Sequence, residues 1–137
     1  MLFRSANASV GIAHTRGQRM VTINPQLEQM FGWPPGELVG QPTRVLWPSD
    51  DDHHALGREI GPALRRGESV ELERLARRHD GSNFLVRLRA SAIDPRSPAS
   101  GGTIWVAEDV TAQRQAEAEL ARARDQAEAA KIGRAHV

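Results

Sequence analysis

The chain has 137 residues, which is enough for one domain with its own hydrophobic core and too few for two domains of ordinary size. It carries 18 basic and 17 acidic residues, so no strong field attracts nucleic acid, and we expect no nucleic-acid partner. The absence of cysteine excludes disulfides, thiolate metal sites and a thiol nucleophile. No apolar run approaches the ~20 residues of a membrane span, so we expect a cytoplasmic domain, whose parent protein could still be membrane-anchored.

The first predicted element is a β-hairpin. Alternating residues over 10–15 and 19–23 predict two strands, and residues 16–17 are the predicted turn between them. In this alternation Ile12 and His14 share the more apolar face of the first strand. We therefore expect both side chains to point into the interior.

A short helix is predicted after the hairpin. Asn24 is a typical N-cap, Pro25 fits the first helical position, and Gly32 can end the helix in the left-handed conformation. Residues 34–48 then hold four prolines and two glycines, which is too many for one regular element.

A longer helix is predicted from Ser49. Its hydroxyl can cap the helix, and the three aspartates that follow interact favourably with the helix dipole. An apolar stripe with a spacing of four residues is formed by Leu56, Ile60 and Leu64. Pro62 is expected to kink or shorten the helix, and Gly67 is its predicted stop.

Residues 69–76 and 83–93 predict a second hairpin around the three-residue loop 79–81. If Leu72 and Leu88 share the buried face, the register is fixed. It then pairs opposite charges on the other face of the sheet: Glu71 with Arg89, and Glu73 with Arg87. Since such cross-strand pairs stabilise a sheet, the charge pattern supports the register.

The last predicted strand covers residues 103–108 and leads into a charged, alanine-rich helix. Its seam residues are spaced alternately three and four apart, as in a heptad repeat: Gln113, Ala116, Leu120, Ala123, Ala127 and Ala130. Because this seam is poor in large apolar residues, we expect the helix to need a continuation. Residues 131–137 break the spacing and resemble the translation of a sequencing-library adapter, so we interpret them as a suspected non-native tail.

Three sequence blocks combine turn and cap signals in a recognisable order. They are Asn24-Pro25 with Phe31-Gly32-Trp33-Pro34-Pro35-Gly36-Glu37-Leu38-Val39-Gly40-Gln41-Pro42, then Arg77-Arg78-His79-Asp80-Gly81-Ser82, then Glu108-Asp109-Val110-Thr111. Their order and spacing resemble the PAS family of sensory domains. The resemblance implies an α+β PAS fold, in which helices pack on one face of a five-stranded antiparallel sheet. It divides the chain into a PAS sensory domain at 1–111, a coiled-coil-like signalling helix at 112–130 and the suspected tail at 131–137.

The resemblance also implies a function in signal transduction. By analogy with the family, the domain binds a small ligand or forms a homodimer, and relays a conformational signal through its C-terminal helix to a downstream bacterial histidine kinase in a two-component phosphorelay. Residues 123–130 resemble the linker that precedes the dimerisation domain of such kinases. The alternatives are a ligand-free dimerisation or spacer module and the input domain of a diguanylate cyclase. No catalytic motif is present, so we expect this part of the protein not to be an enzyme.

The resemblance places a ligand cavity between sheet and helices. Its candidate lining residues are Ile12, His14, Phe31, Leu56, Ile60, Leu88 and Trp105. The candidate residues for signal transfer are Asp109, Thr111 and Leu120, because Asp109 and Thr111 could each cap the signalling helix.

We expect no metal site and no cofactor. His53 and His54 lie near the position at which haem-binding PAS domains place an axial histidine, but two histidines beside three aspartates are better explained as a solvated helix start. Flavin photosensors of the light-oxygen-voltage type form their adduct through a cysteine, which this chain lacks, so only a non-covalent flavin stays open. We interpret Trp33, Trp47 and Trp105 as core residues and not as a stacking platform.

Overall fold

Five antiparallel strands form one sheet in the order β2-β1-β5-β4-β3. The structure, a computed structural model, describes residues 10–135, without the side chains of residues 98, 99 and 135. In chain order the elements are β1 Gly11–Arg16, β2 Arg19–Ile23, α1 Pro25–Phe31, a 3-10 helix Thr43–Leu46, α2 Asp50–Arg65, β3 Val70–Arg77, β4 Asn83–Ala92, α3 Pro98–Gly101, β5 Thr103–Asp109 and α4 Thr111–Ala135. The predicted α+β fold, with helices inserted between the second and third strands, is confirmed.

The turn of the first hairpin lies one residue later than predicted. Gly17 and Gln18 occupy it, with φ of +58° and +62°, as a two-residue turn with primed geometry requires. The short helix α1 has the predicted caps: Asn24 Oδ1 accepts the Leu27 N–H at 3.1 Å, and Gly32 has φ of +73°. Asn24 Oδ1 also accepts the N–H of Ile12 at 2.9 Å, which fixes the start of α1 against β1.

The inward face of β1 is the opposite of the one that we predicted. Gly11, Ala13 and Thr15 face the helices and are buried, whereas Ile12 and His14 lie on the other face of the sheet. The reason is the close approach of α1, because a Cβ atom on Gly11 would lie 2.5 Å from Leu27 Cδ1. Small residues are needed where α1 meets β1, and the larger Ile12 therefore lies on the outer face of the sheet.

Helix α2 begins where predicted and continues past Pro62. The Ser49 hydroxyl accepts the N–H of Asp52 at 3.1 Å. The helix ends only at Arg65, followed by Gly67 with φ of +78°. Pro62 lies in the last turn, where its missing N–H removes a single intrahelical hydrogen bond, so it does not terminate the helix.

The predicted register of the second hairpin is confirmed. Leu72 lies opposite Leu88, and the charge pairs Glu71–Arg89 and Glu73–Arg87 face each other across the strands. Their side chains form ion pairs of 3.4 and 3.2 Å, respectively. The loop 79–81 is closed by a hydrogen bond of 2.7 Å from Arg78 N–H to the Ser82 carbonyl, and Gly81 has φ of +91°.

The hydrophobic core lies between the helices and one face of the sheet. The predicted stripe of α2 is buried there, together with Phe31, Phe84, Trp47 and Val86. The outer face of the sheet carries charged residues and exposed apolar side chains, including Ile12, Leu75 and Ile93. The ring of Trp33 stacks on that of His79, with ring centroids 3.9 Å apart.

Helix α4 extends to Ala135, five residues beyond the predicted boundary at 130. Its side chains from Ala112 to Arg134 are exposed. The interpretation of residues 131–137 as a non-native tail stays a prediction, and the last two of them lie outside the described residues. Within residues 10–135 no helix combines the length and apolar character that crossing a bilayer requires.

Candidate functional site

A cleft of about 1110 Å³ lies between α2 and the helix-covered face of the sheet. This volume slightly exceeds the range of about 300–1,000 Å³ that small-molecule sites occupy. Its floor is apolar and includes Phe31, Leu56, Ile60, Leu88, Trp105 and Ala107. Polar residues also line the cleft, and they come from the turn of the first hairpin, the start of β5 and α2.

Five of the seven predicted cavity residues line this cleft, namely Phe31, Leu56, Ile60, Leu88 and Trp105. The positions predicted for Ile12 and His14 are wrong, because both lie on the outer face of the sheet. The Ile12 side chain is 43% exposed, and His14 Nε2 lies 3.2 Å from the carbonyl oxygen of Gly101. That the five lining residues contact a ligand stays a prediction.

Thr15 is a polar residue in the cleft that the sequence analysis missed. It is only 8% exposed, and its Oγ1 accepts a hydrogen bond of 2.8 Å from Trp105 Nε1. The bond fixes the indole ring of β5 against β1. The sequence signal for Thr15 was the pair of small residues at the alternate positions 11 and 13. They mark the inward face of β1 once a helix is assumed to pack closely against it.

His53 forms part of the cleft wall near the start of α2. Its Nε2 lies 2.9 Å from the hydroxyl of Thr43. Burial lowers the pKa of His53, and the positive charges of His54 and Arg44 lower it further. Both effects favour the neutral imidazole of His53. Nowhere in the part of the chain that the structure describes do three or more metal-binding side chains form a group.

One stripe of α2 faces the open side of the cleft. It comprises His54, Gly57, Arg58, Gly61 and Arg65, which are spaced as residues on one helix face and all line the cleft. A Cβ atom on Gly57 would have no neighbour within 4 Å, so this position leaves space beside the helix, whereas a Cβ atom on Gly61 would lie 3.3 Å from Arg65 Nη1. The sequence analysis singled out neither the two arginines nor the two glycines. The spacing of the stripe was the signal that could have identified them.

The junction between β5 and α4 is held by Asp109. Its Oδ1 accepts the N–H of Thr111 at 2.9 Å, and its Oδ2 lies 3.2 Å from Arg78 Nη2. The hydroxyl of Thr111 does not cap the helix but accepts the N–H of Leu85 at 3.0 Å, which joins α4 to β4. Val110 between them is only 1% exposed, so the chain is anchored where the helix begins.

A second link joins α4 to the sheet. Arg114 Nη2 lies 2.6 Å from Glu73 Oε2, and Arg87 also contacts Glu73, at 3.2 Å. Hydrogen bonds from Arg114 above all, and from Arg87, lower the pKa of Glu73. Further along the helix, the predicted signal-transfer residue Leu120 is 65% exposed. The contacts described above between α4 and the rest of the domain therefore lie in or beside its first turn.

Comparisons with known proteins agree with this architecture. The sequence matches the family described as PAS fold over residues 3–115. It is 31% identical over 120 residues to a protein of Thauera aromatica named "Sensor protein TdiS", covering 88% of this chain. The chain spans only 21% of the length of that relative.

Solved structures show the same fold. The PAS domain, in complex with ethanol, of a LuxR-family transcriptional regulator from Burkholderia thailandensis is 25% identical, with a TM-score of 0.69, and the match covers 80% of this chain and 98% of that one. A sensory box histidine kinase/response regulator from the same species is 18% identical, with a TM-score of 0.66 and coverage of 92% and 95%. The family match covers most of the chain and agrees with the sheet order and the inserted helices, and the chain therefore belongs to the PAS family of sensory domains.

Proposed function

We propose that this chain is the input module of a longer signalling protein, in which a small ligand in the cleft changes the position of α4. The observation that carries the proposal is the path of β5. Residues 103, 105 and 107 of this strand line the cleft, and the same strand ends at Asp109, which caps α4. One rigid element thus connects the candidate binding site to the candidate output helix.

The mechanism is a shift between two populations of the domain. A ligand that contacts Trp105 favours one position of β5 over the other, and Asp109 moves with the strand. Since Asp109 contacts both Arg78 and the first N–H of α4, its displacement alters the contacts that orient the helix. The signal can be no larger than the difference in ligand affinity between the two states.

The output that we propose is a cytoplasmic histidine kinase that follows α4, with the seam of α4 paired in a homodimer. The sensor relative and the structural similarity to part of a sensory box histidine kinase support this assignment. The alternatives are a diguanylate cyclase output and a spacer that binds no ligand. The spacer alternative predicts that altering the cleft leaves the output unchanged.

The test is a thermal-shift panel of small metabolites on the wild-type chain and on two variants of Gly57. Gly57→Leu extends a side chain into the cleft, whereas Gly57→Ala controls for the change in helix propensity. We expect at least one compound to raise the Tm of wild type and of Gly57→Ala but not that of Gly57→Leu. If no compound raises the Tm of Gly57→Ala without raising that of Gly57→Leu, the spacer alternative is correct.

The absorbance spectrum of the purified chain tests the cofactor prediction in the same preparation. We expect no visible band. A flavin spectrum would show that the cleft holds a non-covalent flavin, and a Soret band that is lost in His53→Ala or His54→Ala would identify a haem.

A further inference from the structure

Within the proposed sensory function, we propose that the cleft selects an organic anion with an apolar body, namely a carboxylate carried on an alkyl or aryl group. The apolar floor would bury the body of the molecule. The carboxylate would lie between the stripe of α2 and the turn of the first hairpin. The inference rests on the charges that line the cleft.

All formally charged side chains that line the cleft are basic. Arg58 and Arg65 come from α2 and Arg16 from the end of β1, whereas no aspartate or glutamate of the described residues lines it. The chain as a whole is nearly neutral, with 18 basic and 17 acidic residues. The one-sided charge is thus a local property of the cleft, and it favours an anionic ligand.

These three arginines are also free to bind. Among the described residues, neither Arg16 nor Arg58 nor Arg65 forms an ion pair, whereas seven other arginines do: Arg44, Arg66, Arg74, Arg78, Arg87, Arg89 and Arg114. Glu59, the neighbour of Arg58 in sequence, pairs with Arg74 on the β3 side of α2. The guanidinium groups along the cleft therefore keep their hydrogen-bond donors for a ligand, and their planar geometry matches a carboxylate.

Thr15, a buried polar residue that lines the cleft, also suits a ligand that carries a hydrogen-bond acceptor. Thr15 Oγ1 already accepts the indole N–H of Trp105, so its own hydroxyl hydrogen is available to donate. A neutral apolar ligand would leave this donor and the arginines unused. An inorganic anion would leave the apolar floor uncovered. A carboxylate with an apolar body satisfies both parts of the cleft.

Two matched pairs of compounds test the charge preference by isothermal titration calorimetry: octanoate with octanol, and phenylacetate with 2-phenylethanol. Within each pair the body is retained and the charge is removed. We expect at least one carboxylate to bind about tenfold or more tighter than its alcohol, with affinity falling as salt rises. Equal binding of acid and alcohol in both pairs, or no binding by either acid, would overturn the proposal.

Variants locate the anion. The double variant Arg58→Gln/Arg65→Gln should weaken the carboxylate about tenfold and leave the alcohol unchanged, whereas Arg96→Gln removes one arginine charge outside the cleft and should change neither. Carboxylate affinity that is unaffected by the double variant contradicts the proposed site. If the alcohols bind as tightly as the carboxylates and both are lost in Gly57→Leu, the anion inference fails while the sensory function stands. If no compound of the wider thermal-shift panel raises the Tm of Gly57→Ala without raising that of Gly57→Leu, the sensory function itself fails.

Discussion

Arg114 in the first turn of α4 contacts Glu73 of β3, with 2.6 Å between Nη2 and Oε2, although 41 residues separate them in the chain. Glu73 is the same carboxylate that pairs with Arg87 across the second hairpin. The output helix is thereby tied to the outer face of the sheet as well as to Asp109. The two links fix both the start of α4 and its direction as it leaves the domain.

We predict that Arg114→Gln loosens the first turn of α4 without unfolding the domain. Exposed ion pairs contribute little to stability, so the Tm should fall by no more than about 2 °C. Amide hydrogen exchange of residues 111–117 should become faster, because the turn loses its contact with Glu73. Arg122→Gln, on the exposed part of the same helix, is the matched control and should change neither quantity. Unaltered exchange in Arg114→Gln would show that the contacts of Asp109 and Thr111 hold the helix without Arg114.

We predict opposite effects of alanine at two glycines. In Gly11→Ala the new Cβ would lie 2.5 Å from Leu27 Cδ1 and 3.0 Å from Leu27 Cα, so α1 must shift, at a cost of about 1–3 kcal/mol. In Gly57→Ala the Cβ has no neighbour within 4 Å, and the better helix propensity should stabilise the fold by about 0.5–1 kcal/mol. Urea unfolding measures both changes. A stable Gly11→Ala would contradict the close packing of α1 on β1.

We predict that His53 makes the fold less stable as the pH falls. Burial lowers its pKa in the folded state, so below pH 6.5 the unfolded chain binds a proton that the folded chain does not. The stability that the neutral imidazole contributes is present above that pH and is lost as the pH falls below it. Between pH 7.5 and 5.5 the free energy of unfolding should therefore fall more steeply in wild type than in His53→Gln. His54→Gln should keep most of the wild-type slope, because burial is the larger cause; equal slopes in all three would refute the assignment.

The parts of the fold that could be predicted are those governed by local chemistry. Asn24 and Gly32 bound α1 as their cap preferences require, and the Asp80-Gly81 turn with two opposite-charge pairs determines the register of β3 and β4. Each of these signals lies within a few residues or within one hairpin. The order and spacing of such signals along the chain are also what indicate the family.

The cleft was predicted less well, because it depends on how elements approach one another. The side of β1 that is buried follows from the contact between Gly11 and Leu27, which no alternation of apolar residues reveals. Likewise, Arg58 and Arg65 resemble any solvated residues of α2 until the sheet is placed beside them. The Glu73–Arg114 contact could not be predicted for the same reason, because the sequence of α4 shows its own periodicity and not its position beside β3.

If α4 transmits a signal by rotation or register, its phase relative to the downstream helix must matter. We predict that inserting seven residues after Leu120 in the longer protein preserves regulated output, since one heptad, or two helical turns, keeps the seam in phase. Inserting three or four residues should invert or lock the output. The measurement is ligand-dependent output of the three insertion variants. Regulation that survives all three insertions would mean that the helix is a passive tether.

The central claim is that the content of the cleft is transmitted through β5 to α4, and hydrogen exchange with and without the tightest-binding compound of the panel tests it most directly. We predict that exchange changes together in residues 103–109 and 111–117 of the wild-type chain. In Asp109→Asn, which weakens the contact with Arg78, the change should persist at 103–107 and be lost at 111–117. Changes confined to the cleft in the wild-type chain, with α4 unaffected, would contradict the account.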